Sequence, residues 1–285
     1  SSLVLNLDLK PHADGKGISM TGSAAMDDVG FFAPRIHGSL VDGLSLEMEL
    51  NADLDIIKDK LTLDIPRILV NKSALFRLVA TVERLDGNLP KLDVKLSMPK
   101  QECQGMFNAI PASMAPRIQG MMLDGSAQAF VDFKVDLLEP RTFKWKIDID
   151  LDRCKPRHTG MVDIDRLNTD FVHEVVEKGV PTGVLVGPGT HHYRPLSRIP
   201  KYVQMGAIWT EDHSFFKHAG FRPALIRRAI VMDLERGRYI YGGSTISQQL
   251  VKNLFLSREK TLSRKLEEAV VVWLMERKLT KKRIL

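Results

Sequence analysis

Two cysteines in 285 residues are too few for a disulfide-scaffolded fold, and Cys103 and Cys154 stand far apart with no histidine in a ligand spacing beside them. A zinc site built on these thiols is discounted on that spacing. Two readings stay open for the pair: buried thiols in a reducing compartment, or a bridge made in an oxidising periplasm. No apolar run approaches the roughly eighteen residues of a membrane helix. The longest, Ala269 to Met275, suits a buried helix segment. The opening Ser1-Ser2-Leu3-Val4 has neither the basic start nor the apolar stretch of a secretion signal. Aromatic residues make up only 7% of the chain, too few for a base-stacking surface, which argues against nucleic acid as a partner.

What is present divides the chain in two. Residues 1–156 hold 19 Lys and Arg against 22 Asp and Glu, a net of −3, whereas residues 157–285 hold 22 against 13, a net of +9. A basic second half fits an anionic partner, either phosphate groups or a membrane surface. The first half alternates with period two. Leu44, Leu46, Met48, Leu50, Ala52, Leu54 and Ile56 oppose Ser45, Glu47, Glu49, Asn51, Asp53 and Asp55, and Phe143–Leu151 repeats the pattern. Such segments make strands with one dry and one wet face, so residues 1–155 are expected as an antiparallel β domain. Turn clusters such as Asp86-Gly87-Asn88 separate the strands.

The β half also echoes itself. Pro34 to Gly43 matches Pro116 to Gly125 in six of ten places, which points to a duplicated unit. Its texture loosely resembles the AsmA-type lipid-handling β proteins of Gram-negative envelopes. Lys155 to Gly160 breaks the alternation, and residues 156–165 are expected as a linker to a second domain at 166–285. Asp165 to Lys178 is expected to be helical, and Gly179 to Pro195 a loop with a short strand near Val184–Val186. The pair His191-His192 lacks a third ligand in register and is expected as exposed loop. From Lys201 onward the pattern is helical, including a basic amphipathic segment from Ala224 to Arg236.

The most informative stretch is Gly242-Gly243-Ser244-Thr245-Ile246-Ser247-Gln248-Gln249-Leu250-Val251-Lys252-Asn253. A glycine pair frees the backbone, and Ser-Thr suits a helix cap. Thr245, Gln249 and Lys252 then share one helix face, beside an apolar stripe of Ile246, Leu250 and Leu254. Upstream stands Glu211-Asp212-His213-Ser214-Phe215-Phe216-Lys217-His218-Ala219-Gly220, and downstream Arg264-Lys265-Leu266-Glu267-Glu268. In order and spacing these resemble the first three signature blocks of the peptidoglycan glycosyltransferases (glycosyltransferase family fifty-one). Lys281-Lys282-Arg283-Ile284-Leu285 resembles the start of the fourth block, and the fifth has no counterpart.

That resemblance implies a two-domain α+β chain, its second domain mainly α, lysozyme-like and incomplete at its carboxyl end. It implies polymerisation of lipid II into β-1,4 glycan with loss of undecaprenyl diphosphate, by a single inverting displacement. Glu211 is the expected general base, placed at a helix start where the dipole favours its ionised form. Glu268 is the expected second carboxylate, close to the diphosphate and to any divalent cation (Mg or Mn) there; no nucleotide cofactor is implied. Asp212 would orient, while Phe215 and His218 would lie beneath Glu211 on one helix face. Ser244, Thr245, Gln248, Gln249 and Asn253 would bind sugar and frame the helix start, and Lys252, Arg264 and Lys265 would hold the diphosphate. The implied partners are lipid II, the nascent glycan strand, a membrane surface and other cell-wall synthesis proteins. The implied place is the periplasmic face of the inner membrane, reached through an amino-terminal anchor that lies outside this sequence. Two competing readings remain: a lysozyme-like glycan hydrolase with Glu211 as general acid, and a non-catalytic precursor-binding or scaffolding protein.

Overall fold

A computed structural model describes the whole chain apart from Ser1, Asn88, Lys178, Gly179, Tyr239 and Arg258. The alternating segments become strands: β1 (Ser2–Pro11), β2 (Gly17–Phe31), β3 (Val41–Asp55), β4 (Lys60–Val70), β5 (Ala74–Glu83) and β6 (Lys91–Glu102). A short helix α1 (Cys103–Asn108) follows, then β7 (Met121–Asp124), β8 (Ser126–Asp136) and β9 (Lys144–Asp150). Eight of these form one antiparallel sheet in the order β1-β2-β3-β4-β5-β6-β8-β9. Register places the dry faces together, because a one-residue slip would turn each apolar set to the other side. One row, Leu9–Met20–Ala52–Leu63–Ala80–Val94–Phe133–Trp145, crosses all eight strands without a polar residue. The opposite face carries exposed cross-strand pairs such as Lys91–Glu83 and Lys134–Asp93, worth little individually. Along β1, Leu3, Leu5, Leu7 and Leu9 stay exposed. The turn at Asp86-Gly87-Asn88 lies partly outside the described residues.

The two echoed segments adopt the same turn. Ala33 O accepts from Ile36 N at 2.8 Å, and Ala115 O accepts from Ile118 N at 3.3 Å. Nine residues after each proline stands a glycine in the left-handed region, Gly43 at φ 74° and Gly125 at φ 93°. At Gly125 a side chain would also meet the Arg153 carbonyl oxygen at 1.9 Å.

The expected linker is corrected by the structure. Residues 155–159 form β10 (Lys155–Thr159), which pairs antiparallel with β7, and Val162, Ile164 and Leu167 beyond it are buried in the main core. The helix expected over Asp165 to Lys178 is also absent over its described residues. Asp165–Asn168 makes one tight turn, after which β11 (Phe171–Glu177) pairs with β12 (Val180–Val186) as a hairpin. The β-branched Val172 and Val175 favour this extended form over a helix.

Helices begin at α2 (Lys201–Glu211) and continue through α3 (Pro223–Arg236), α4 (Ile246–Phe255), α5 (Leu262–Lys278) and α6 (Lys281–Ile284). No helix among the described residues is long and apolar enough to cross a membrane. The run from Ala269 to Met275 lies inside α5, where Val271, Val272, Leu274 and Met275 are fully buried. They belong to one buried cluster that also holds Met98, Ile118, Leu123 and Ala127 from the β half, so the two halves share a core. A second seam joins α3 to the corner before β9. Arg227 donates to the Phe143 carbonyl at 2.5 Å, and Arg141 pairs with Glu235 at 2.5 Å.

Cys103 and Cys154 are joined in a disulfide with their Cα atoms 5.9 Å apart, and both are buried beside that shared core. The bridge closes a loop with a sequence separation of 51 residues. A Cys154→Ser variant is expected to lose about 2–4 kcal/mol of unfolding free energy, read by urea denaturation with and without reductant. Equal stability of the variant and the oxidised protein would show that the bridge contributes nothing.

Candidate active site

Three helices meet around the first turn of α4. The turn is held by a capping box: Thr245 Oγ1 accepts from Gln248 N at 3.3 Å, and Gln248 Oε1 accepts from Thr245 N at 3.1 Å. Thr245 is fully buried and also donates to the Gly220 carbonyl at 2.6 Å, which ties the cap to the end of the upstream block. Gly220 itself has φ 88°, and a Cβ there would stand 2.4 Å from Val272 Cγ1 of α5. Only glycine meets both demands.

Two carboxylates flank that turn. Gln249 Nε2 donates to Glu211 Oε2 at 2.5 Å, and the adjacent Gln248 Nε2 donates to Glu268 Oε1 at 3.0 Å. Neighbouring amides on one helix therefore reach acids from two different helices. Glu211 is exposed, whereas Glu268 is 1% exposed. Glu268 is neutralised by Arg264 Nη1 at 2.6 Å and by Lys265 Nζ, whose side chain remains 44% exposed and also reaches Ser244 Oγ at 3.4 Å. A buried carboxylate needs such partners, since an unpaired one would cost several kcal/mol.

Asp212 forms a second buried node. Its carboxylate accepts from His218 Nε2 at 2.9 Å and from Arg222 Nη1 at 3.4 Å. His218 Nδ1 accepts the Gly220 N–H at 3.1 Å, so Nε2 carries the proton that Asp212 receives. The same carboxylate faces Ile246 N at the start of α4, where the helix dipole favours a negative charge. Phe215 is buried beneath, with Lys281 Nζ 4.4 Å from its ring centre.

Glu211 is not at a helix start. It is the last residue of α2, and Asp212 leaves the helix with φ −160°. Pro200 sets the beginning of α2 eleven residues earlier, and the pull of His218 and Arg222 on Asp212 ends it. The dipole support expected for Glu211 is thus absent, and its carboxylate is met by solvent and by Gln249 instead. Phe215 and His218 do not continue a helix below it either: Phe215–Lys217 is a tight turn and His218 is extended.

The structure brings together Glu211, Asp212, Phe215, His218, Ser244, Thr245, Gln248, Gln249, Arg264, Lys265 and Glu268. It leaves Lys252 and Asn253 exposed further along α4, with no ion pair to Lys252 among the described residues. Glu268 does not suit a divalent cation as it is held, because both its oxygens already face cationic or amide N–H groups. No group of three His, Cys, Asp or Glu side chains gathers round one point among the described residues. An open groove of about 590 Å³ lies elsewhere, beside the ends of the two echoed segments, lined by Asp42, Asn71, Phe107 and Gln119 among others.

Two acids escaped the sequence reading. Glu276, at the end of the apolar run in α5, pairs with Lys281 at 2.7 Å and accepts from the Ser247 hydroxyl. Glu267, next to Glu268, is 6% exposed, and its Oε1 accepts from the backbone N–H of Arg117 at 2.7 Å. Burial pushes its carboxyl above the ordinary carboxylate value despite that hydrogen bond. The available signal was spacing: Glu267 follows Ser263 by one helical turn, on a stripe distinct from that of Arg264 and Glu268.

Residues 181–285, which include all of α2 to α6, match the family model described as Transglycosylase. Among relatives, the chain is 43% identical over 100 residues to the penicillin-binding protein 1A of Aquifex aeolicus, covering 35% of this chain and 14% of that protein. It is 45% identical over 94 residues to the biosynthetic peptidoglycan transglycosylase of Methylobacillus flagellatus, covering 33% of this chain and 41% of that protein. With the like-named protein of Nitrosospira multiformis it shares 46% over 91 residues, covering 32% and 40%. The chain thus spans less than half the length of these relatives.

The two flanking acids should respond unequally to substitution. Glu268→Ala strands Arg264 beside a buried surface and is expected to cost about 3 kcal/mol. Glu211→Gln, at an exposed position, should stay within about 0.5 kcal/mol of the parent. Thermal and denaturant unfolding of both variants checks this; equal losses would mean that the acids are not held as described.

Proposed function

We propose that this chain is a peptidoglycan glycosyltransferase acting at the cell envelope, its helical part forming a portion of a lysozyme-like lobe. The observation that carries this reading is the pairing of an exposed acid, Glu211, with a buried, cation-neutralised acid, Glu268, across one capped helix. Polymerisation needs both kinds. The 4-hydroxyl of an incoming GlcNAc must lose a proton as it attacks the anomeric carbon of the MurNAc that ends the growing chain. Glu211 is solvent-accessible and can take that proton, with Gln249 fixing its orientation. The departing undecaprenyl diphosphate carries its own negative charge, so it needs cations more than it needs an acid. Lys265, half-exposed above Glu268, and Lys252, exposed one turn beyond Gln248, supply them. Glu268 holds Arg264 and Lys265 in place rather than taking a proton, since both its oxygens already accept from Gln248, Lys265 and Arg264. No step here runs through a metal ion.

A lipid-linked substrate also fits the outer face of α2. Tyr202, Met205 and Trp209 stand at i, i+3 and i+7 on the helix that ends in Glu211, and all three are exposed. An apolar stripe leading to the proposed base would suit a membrane surface carrying the substrate, with the basic residues of this half meeting anionic headgroups.

Labelled lipid II provides the test. Glu211→Gln is expected to make no glycan polymer while binding lipid II within about threefold of the parent, because the amide keeps the shape but cannot accept the proton. Lys252→Ala or Arg264→Ala should weaken binding of the lipid diphosphate about ten- to a hundredfold, the value of one charged hydrogen bond to phosphate. Polymer made by the Gln variant would refute the assignment of Glu211. Release of muropeptides from finished glycan by the parent protein would identify a hydrolase instead.

A further inference from the structure

Helix α5 has two working faces set one residue apart. Arg264 and Glu268 lie on the stripe facing α4. Ser263 and Glu267 lie about 100° round the helix, facing the β sheet half. On that side the first two free N–H groups of α5 are satisfied by the sheet's own turn: Leu262 N donates to the Arg35 carbonyl at 3.0 Å and Ser263 N to the Ile36 carbonyl at 2.9 Å. His37 Nδ1 sits 2.7 Å from Ser263 Oγ, and Arg117 N donates to Glu267 at 2.7 Å. Arg35 and Arg117 occupy the same place in the two echoed segments. Both copies of the repeated turn therefore grip one helix.

We propose that these twin turns act as a two-point clamp that sets the rotation and height of α5, with Glu267 as a positioning residue for Arg264, Lys265 and Glu268. The rest of α5 is held by Val270, Val271, Leu274 and Met275, and apolar packing is not directional. A slip of one residue along the axis moves a helix about 1.5 Å and turns it about 100°. Directional hydrogen bonds resist such a slip: three engage a backbone group of the echoed turns, the fourth joins the His37 and Ser263 side chains, and all four fall on the first two turns of α5, which carry Arg264 and Lys265. Glu267 is costly to bury and makes no ion pair within 4.0 Å among the described residues; Arg117, His37 and Arg264 offset that cost only in part, and its directional bond to Arg117 N is the property that an apolar residue would lack. The clamp gives the β half a part in the transferase reaction through the setting of α5.

The inference rests on the transferase reading, and the test keeps the two apart. Binding of undecaprenyl diphosphate in detergent micelles is measured for the parent, Glu267→Ala and Glu267→Gln, together with hydrogen exchange of the Leu262 and Ser263 amides and the unfolding midpoint. Glu267→Ala should still unfold cooperatively, exchange those two amides faster and bind the diphosphate about three- to tenfold more weakly, the value of one lost hydrogen bond. Glu267→Gln keeps an acceptor oxygen and should match the parent in both. Equal weakening by Ala and Gln, or weakening by neither, would overturn the clamp. Should Glu267→Ala fail to fold, His37→Ala serves instead: faster exchange at Ser263 with weaker binding is expected, and unchanged binding overturns the proposal. A parent protein that binds no lipid diphosphate would refute the transferase reading, and the clamp's purpose with it.

Discussion

Everything in the helical half follows from keeping one carboxylate out of water. Glu268 at 1% exposure is tolerable only if its charge is matched and both oxygens are bonded. Arg264 and Lys265 come from its own helix, but Gln248 must come from α4, and Gln248 is positioned by its reciprocal bonds with Thr245. Thr245 in turn is fastened to Gly220, whose lack of a side chain lets the upstream block lie against α5. The three sequence blocks are therefore one hydrogen-bonded circuit, and the exposed acid Glu211 is attached to it through the neighbouring Gln249.

How much of this was legible in the chain depends on the range of the interaction. The helix cap at Ser244-Thr245 is local, written within four residues, and appears as expected, with Thr245 as the capping residue. Period-two alternation likewise announces the strands, because each residue's face depends only on its neighbours. The segment after Asp165 misleads because charged and apolar residues there fit a helix in number, while Val172 and Val175 prefer the pairing that β12 offers. Glu211 misleads for a different reason: the motif names the residue but not which end of a helix it closes. That end is decided by Asp212, whose partners His218 and Arg222 lie six and ten residues on.

Contacts between the halves were the least legible of all. Nothing in Glu267 alone reports that its partner is the backbone of Arg117, 150 residues earlier, and no side-chain pattern encodes a backbone donor. The repeat was visible, yet its use as a pair of grips on one helix emerges only when the two turns are seen side by side. The disulfide is intermediate: two cysteines permit only one pairing, but whether it forms depends on proximity that spacing does not supply.

The order of the strands has a consequence for how the chain is made. Strands β1 to β6 pair each with the next in sequence, and the sheet's single skip, from β6 to β8, passes over only α1 and β7. Such a meander can assemble hairpin by hairpin as it leaves the ribosome, since each strand's partner has just been synthesised. The helices come last. They meet a surface already built, on which the turn at His37 has waited through 226 residues for Ser263. The β half is in this sense a mould for α5, whose other face is then bonded to α4.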